Sequence, residues 1–222
     1  MTNNTRAATL AHVPRRYQSA RRGQDAAKTR QDIVVAAIRL HGDGVTDFGS
    51  VAEAAGVALP TVYKYFPSKE DLYRACTTHM PTTVPPPSID ELLRISDPIA
   101  RLRQTVRQVY QLHEARLGQS WNAYRHQSES PALAQALAGL HGFVSQVVEM
   151  LIREAKPVDP MEREANAAFA RGLLSPLGYR TLRVIGGLSP EVAAEQSTRS
   201  LACMLGMESP RRQTPEGGEN ER

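Results

Sequence analysis

Apolar residues fall at helical spacing along nearly all of the chain, and no stretch alternates as a strand would. The first periodic run begins at Thr29, with Ile33, Val34, Ala37, Ile38 and His41 on one broad face, and Gly42 and Gly44 predict its end. Thr46 and Asp47 are cap residues for a short second helix whose Val51, Ala52 and Ala55 face inward. Gly56 predicts its stop and Pro60 the first turn of a third helix, in which Val62 and Phe66, four apart, bury together. Pro67 ends that helix. Ser68 caps a fourth (Leu72, Ala75, Cys76, His79), with Asp71 at the capping-box distance.

Pro81, Pro85, Pro86 and Pro87 then predict a stiff linker at 81–88. Beyond it, four cap-then-proline pairs mark helix starts at Asp97-Pro98, Ser130-Pro131, Asp159-Pro160 and Ser189-Pro190. The first opens a long helix carrying Leu102, Val106, Val109, Tyr110 and Leu117. The segment Phe143 to Ile152 is strongly apolar. The expected organisation is all-α: a basic flexible arm at 1–28, a small helical domain at 29–80, the linker, a second helical domain at 89–207 and a polar tail at 208–222.

Charge changes this picture by its position. Residues 1–30 carry seven basic residues (Arg6, Arg15, Arg16, Arg21, Arg22, Lys28, Arg30) against Asp25 alone, whereas residues 31–80 carry four basic and six acidic residues. The arm is the basic element, and such arms either bind nucleic acid or stay solvated. Aromatic residues make up only 5% of the chain, so its core must be mostly Ala, Leu and Val, which suits packed helices. No run approaches the roughly 20 apolar residues of a membrane span, and the N-terminus lacks a secretory h-region. Two distant cysteines, Cys76 and Cys203, make neither a disulfide framework nor a zinc site. These features predict a reduced, cytoplasmic protein without membrane association.

Helices two and three are short, close and joined by "GVAL", which is helix-turn-helix spacing. On a helical wheel Val62 and Phe66 point to the core. Pro60, Tyr63 and Lys64 point away, with Thr61 and Tyr65 on one flank and Leu59 on the other. An exposed face of this kind suits the major groove.

The stretch "GVALPTVYKYFPSKEDL" resembles the signature of the tetracycline-repressor (TetR) family of bacterial transcription regulators. Gly56, Val57, Thr61, Val62, Tyr63, Tyr65, Phe66, Ser68, Lys69, Glu70 and Leu72 all fit the family pattern. "IVVAAIRL" and "VAEAAGV" fit its first and second helices, so the likeness covers about residues 30–76. His41 stands where the family usually has Phe, the loop from His41 to Thr46 looks one residue short, and Gly49 replaces a frequent Arg.

The resemblance implies roles residue by residue. Thr46, Thr61, Tyr65 and Lys69 would touch phosphates, and Tyr63 and Lys64 would face the groove, with Lys64 able to bond guanine. Leu59 and Pro60 would meet thymine methyls, Leu59 alternatively turning into the core. The arm arginines would either enter a minor groove or add general attraction.

The same resemblance implies an all-helical C-terminal domain that dimerises through its last two long helices, about Asp159–Gly186 and Ser189–Met207. Phe169, Leu173, Leu177, Leu201 and Leu205 are candidates for the seam or for the monomer's own core. Glycines at 172, 178, 186 and 187 predict a bend or break in the first of the two. The resemblance also implies a small-molecule pocket. Tyr110, His113, Glu114, Trp121, Tyr124, Arg125 and His126 cluster in one region as candidates, Trp121 alternatively being core.

Nucleophile elbow, phosphate loop and HExxH motif are all missing from the sequence, the histidines lack metal-ligand spacing, and neither an enzyme nor a cofactor is expected. The reading is a ligand-responsive regulator, most simply a repressor, that binds a palindromic DNA operator as a homodimer and is released by a small-molecule effector. The alternative is a scaffold of the same fold acting mainly through a protein partner.

Overall fold

The computed structural model describes residues 15–155 and 158–207. Within them every regular element is helical, in the order α1 (Arg15–Gly42), α2 (Phe48–Ala54), α3 (Leu59–Tyr65), α4 (Lys69–Thr83), α5 (Ile89–Leu93), α6 (Pro98–Ala115), α7 (Leu117–His126), α8 (Pro131–Ile152), α9 (Pro160–Leu173), α10 (Pro176–Arg180) and α11 (Pro190–Met204). One π-helical turn, Thr181–Ile185, follows α10.

The first helix starts at Arg15 rather than Thr29, so residues 15–28 are helical where a flexible arm was expected. From Arg22 to Lys28 this segment buries no face, which is why apolar periodicity does not reveal it. Local bonds hold it: Lys28 pairs with Asp32 one turn on, and the Thr29 hydroxyl donates to the Asp25 carbonyl. The rest of the expected arm, 1–14, and the expected tail from 208 lie outside the described residues.

The first four helices close around Ile33, Val34, Ala37, Phe48, Val51, Ala52, Val62, Phe66, Leu72 and Cys76. Asp47 caps α2, taking both the Ser50 N–H and the Ser50 hydroxyl at 2.8 Å. Gly56 has φ +65°, a left-handed turn that a side chain would strain. Ser68 and Asp71 form the full capping box of α4. That helix runs through Pro81 to Thr83, so the expected linker is helical for its first three residues.

All four expected cap-then-proline starts are present, and Ser175-Pro176 adds a fifth. The long helix expected from Asp97 breaks at Arg116. The break lets α7 meet the end of α1 so closely that a Cβ on Gly118 would sit 2.1 Å from the Gly42 carbonyl oxygen. The expected helix Asp159–Gly186 is broken too, at the Ser175 cap. The larger core gathers Leu102, Val106, Val109 and Tyr110 of α6 with Val144, Val147 and Leu151 of α8 and Leu201 of α11. A third cluster, Tyr73 with Ala123, Ala132, Leu133 and Leu137, joins α4 to α7 and α8.

Candidate nucleic-acid interface and adjoining cavity

Val62 is fully buried and Phe66 nearly so, and these two anchor α3. Leu59, Pro60, Tyr63 and Lys64 are exposed, and Thr61 and Tyr65 are half-buried on the flank. Leu59 is 41% exposed, so its side chain turns outward and not into the core. Tyr63 is not a free side chain: its ring lies 5.0 Å from that of Phe48 on α2, tilted by 59°, with half its surface open. The Lys64 ammonium sits 5.6 Å over the Tyr65 ring. Lys69 is exposed as the first residue of α4, where free N–H groups add to its charge.

Thr46, half-buried, meets the hydroxyl of Tyr73. Beside it the Asp47 carboxyl is held below its ordinary range, first by the Ser50 N–H and then by the Ser50 hydroxyl. Gly49 leaves the α2 surface bare. Arg30 stacks over Phe66 at 5.0 Å, tying the N-terminal helix to α3.

Behind this surface lies a largely apolar cavity of about 330 Å³, walled by Ile38 and His41 of α1, Tyr73 and Met80 of α4, Asn122 of α7 and Leu137 of α8. Its size is at the lower end of small-molecule sites, roughly 300–1,000 Å³. Burial pushes the His41 pKa down to about 4, with the positive charges of His126 and Lys69 adding to the effect. Its ring packs 5.0 Å from Tyr73, whose hydroxyl is pushed up mainly by burial. Burial also raises the Cys76 thiol to about 12, and the thiol donates to the Val34 carbonyl. A wider cleft of about 930 Å³ between α6 and α11 is lined by Tyr110, Glu114 and Ala194 together with the charged side chains of Arg103, Arg107 and Arg199.

The five aromatic and basic residues expected to line a pocket do not line this cavity. Tyr110 and His113 are core. The Tyr110 hydroxyl bonds the Leu173 carbonyl and Ser197, and His113 donates from Nε2 to the Leu174 carbonyl at 2.9 Å. Burial lowers the His113 pKa to about 4. Trp121 lies at the surface under the Arg180 guanidinium, 4.3 Å from its ring. Tyr124 bonds His141 at 2.5 Å, and Arg125 is exposed. Glu114 does not line this cavity either; it lines the cleft between α6 and α11 and accepts from Tyr179 and Arg183.

The cavity is assembled from four helices far apart in sequence, which aromatic density along α6 and α7 does not register. One signal was available: His41, a polar residue on the apolar face of α1 where Phe is usual.

The seam candidates divide. Phe169 (56% exposed) and Leu177 present apolar surface, and Leu173 is half-buried. Leu201 and Leu205 are sealed in the chain's own core and cannot meet a second copy. Val184 and Ile185, the latter 82% exposed, extend the open surface on the π-turn after α10. The sequence reading expects a bend or break in this segment but names neither residue as a seam candidate.

Among the described residues no three His, Cys, Asp or Glu side chains are placed to hold a metal ion. Among the same residues no helix is long and apolar enough to cross a membrane.

Residues 33–76, which build α2, α3 and the parts of α1 and α4 packed on them, match the family described as bacterial regulatory proteins, tetR family. No curated protein matches the chain. Solved structures similar to it include a transcriptional regulator from Rhodococcus sp. RHA1 (18% identity, TM-score 0.58, covering 82% of this chain and 99% of that one). A tetR-family regulatory protein from Rhodococcus RHA1 is 19% identical, with TM-score 0.56 over 80% of this chain and 97% of its own. The ketosteroid transcriptional regulator of Mycobacterium tuberculosis is 16% identical, with TM-score 0.52 over 80% and 93%. At these identities the likeness is one of fold.

Proposed function

We propose that this chain, which belongs to the TetR family of DNA-binding transcriptional regulators, is a homodimeric repressor released from a palindromic operator by a small-molecule effector held in the 330 Å³ cavity. The observation that carries this is the cavity's position. One wall is the reading unit's own helices, through His41, Tyr73 and Met80, and the other is α7 and α8. An occupant wedged between these walls moves α4 against α8.

That movement reaches the DNA-facing residues directly. Lys69 opens α4, and Tyr73, one turn on, meets Thr46 at the entrance to α2. In this reading Thr46, Thr61, Tyr65 and Lys69 hold phosphates and so position the protein. Tyr63, Lys64, Leu59 and Pro60 face the groove and specify the sequence. The acidic balance of residues 31–80 means that placed hydroxyls, helix N-termini and two lysines supply the local attraction.

The dimer seam in this reading is Phe169, Leu173 and Leu177, extended by Val184 and Ile185. An exposed apolar surface of this kind is a usual mark of an association site. Two reading units related by a two-fold axis fit half-sites about 34–36 Å apart. An apolar cavity of this kind favours the effector reading over a role carried only by a protein partner.

The test is fluorescence anisotropy of the purified chain on the DNA upstream of its own gene. Binding should be dimeric and fall steeply between low and moderate salt. A dimer that binds this DNA no better than random sequence, with Tyr63→Ala and Lys64→Ala changing nothing, sinks the proposal.

A further inference from the structure

The cavity's chemistry is one-sided. Its α8 wall is hydrocarbon, from Leu133, Leu137, Leu140 and Phe143, and neither Asp nor Glu lines it. Its two basic side chains differ. His41 is buried and neutral near pH 7, its pKa pushed down to about 4. Arg116, at the break between α6 and α7, is a permanent cation that burial makes less comfortable, its pKa lowered by desolvation.

Arg116 lacks a counter-ion. Among the described residues it forms no ion pair with any carboxylate. Its Nη2 donates to the Val84 carbonyl and, at 3.5 Å, to that of Met80, both at the C-terminal end of α4. Its Nε–H is buried with no acceptor. A second lining group, Asn122 Oδ1, is buried without a donor. Unpaired buried groups are costly, and a cation more so than a neutral one.

We propose that the cavity takes an apolar carboxylate, its body against Leu133, Leu137, Leu140 and Phe143 and its anionic head on the Nε edge of Arg116. The proposal rests on the effector reading of this cavity given above. Nε is out of solvent reach while Nη2 is held on the α4 carbonyls, so the guanidinium swings off them for a carboxylate to accept from Nε and Nη2 together, the fork geometry. The carboxylate thereby competes with the Met80 and Val84 carbonyls for Nη2. Pairing the cation therefore loosens the end of α4, and the ligand favours the arrangement in which α4 has let go, as a population shift requires. A cationic ligand meets Arg116 and no carboxylate, so it is excluded.

The test is isothermal titration of the full chain with decanoate, 2-naphthoate, 1-decanol and decylamine below their micellar concentrations, with operator anisotropy run in parallel. At least one carboxylate should bind about tenfold or more tighter than decanol, the scale of a charge-assisted hydrogen bond, and decylamine should give no heat. Decanoate against 2-naphthoate separates an aliphatic from an aromatic occupant. Arg116→Gln should weaken the carboxylate about tenfold or more while leaving decanol within about twofold, and decanol binding also shows that the variant is folded. Gly139→Leu gives a second handle: a Cβ there meets nothing within 4 Å and Gly139 lines the cavity, so the variant should fold and weaken both classes.

Decanol or decylamine binding as tightly as the tighter of the two carboxylates overturns the proposal. So does carboxylate binding that survives Arg116→Gln or Gly139→Leu, or no carboxylate binding at all. Decanol releasing DNA where the carboxylates do not removes the ligand class and keeps the effector reading. Carboxylate binding as described with operator affinity unchanged keeps the ligand class and removes the effector reading.

Discussion

Glu70, in the first turn of α4, accepts the Ser130 hydroxyl at 2.5 Å, and its other oxygen accepts the Ala132 N–H at 3.0 Å. A carboxylate of the reading unit thus caps the helix that forms the far wall of the cavity. Ser130 also caps α8 through the Leu133 N–H. The two ends of the reading unit's last helix are both tied to the C-terminal domain, Glu70 to α8 and Met80 and Val84 to Arg116.

Removing the Glu70 carboxylate should therefore loosen α8 as well as α4. Glu70→Ala is expected to cost about 1–2 kcal/mol in urea unfolding, the range for a lost cap and its hydrogen bonds. It should also speed amide exchange at Ala132 and Leu133. Unchanged exchange there would show that the contact does not hold the two domains together.

Tyr63 separates packing from contact. Its ring rests on Phe48, so Tyr63→Phe should leave the unfolding midpoint unchanged while operator affinity falls by about 0.5–1.5 kcal/mol if the hydroxyl meets DNA. Lys64→Ala should lose about 1–3 kcal/mol of discrimination at one base pair. Lys69→Ala should instead weaken all sequences alike and reduce the salt slope by about 1. Anisotropy at several salt concentrations distinguishes the three patterns. Equal behaviour of Lys64→Ala and Lys69→Ala would contradict their separate roles.

Stability should depend on pH through His41 and His113, each pushed down to about 4 by burial. An unfolded chain takes up the proton near pH 6.5, and the folded chain only near 4. Between those values the unfolded state binds more protons, so stability is intact above about pH 6.5 and is lost as pH falls toward 4. His41→Phe should reduce the slope in that window by up to about 1.4 kcal/mol per pH unit. An unaltered slope in denaturation at pH 4.5, 5.5 and 6.5 would show that His41 is not neutral in the fold.

The seam and the core can be told apart by opposite phenotypes. Ile185→Arg and Phe169→Glu change exposed side chains, so each should give a folded monomer by light scattering. Leu201→Ala opens a hole at a fully buried site and should cost about 2–5 kcal/mol of stability. A dimer that survives both charge variants would move the seam elsewhere.

The reading unit was legible because its residues act locally. Gly56 sets a turn, Pro60 starts a helix, Ser68 caps with Asp71, and Val62 and Phe66 anchor at one-turn spacing. The same local logic made the four cap-then-proline starts readable. Arg22–Lys28 was illegible for the converse reason: a helical segment that buries no face leaves no apolar stripe.

The amino-acid order determined an all-helical chain, the helix-turn-helix and its outward face, since propensity, caps and periodicity are set by neighbours a few residues apart. Tertiary structure alone decided which side chains face empty space. Tyr110 and Leu201 have the same helical spacing as true lining or seam residues, and only the packing of α6 against α11 seals them in. The cavity likewise exists because α1 and α4 meet α7 and α8, with Gly118 admitting the close approach of α7 to α1. Its unpaired cation, Arg116, becomes visible only when burial removes water without supplying a carboxylate, and that is a property of distances across the fold.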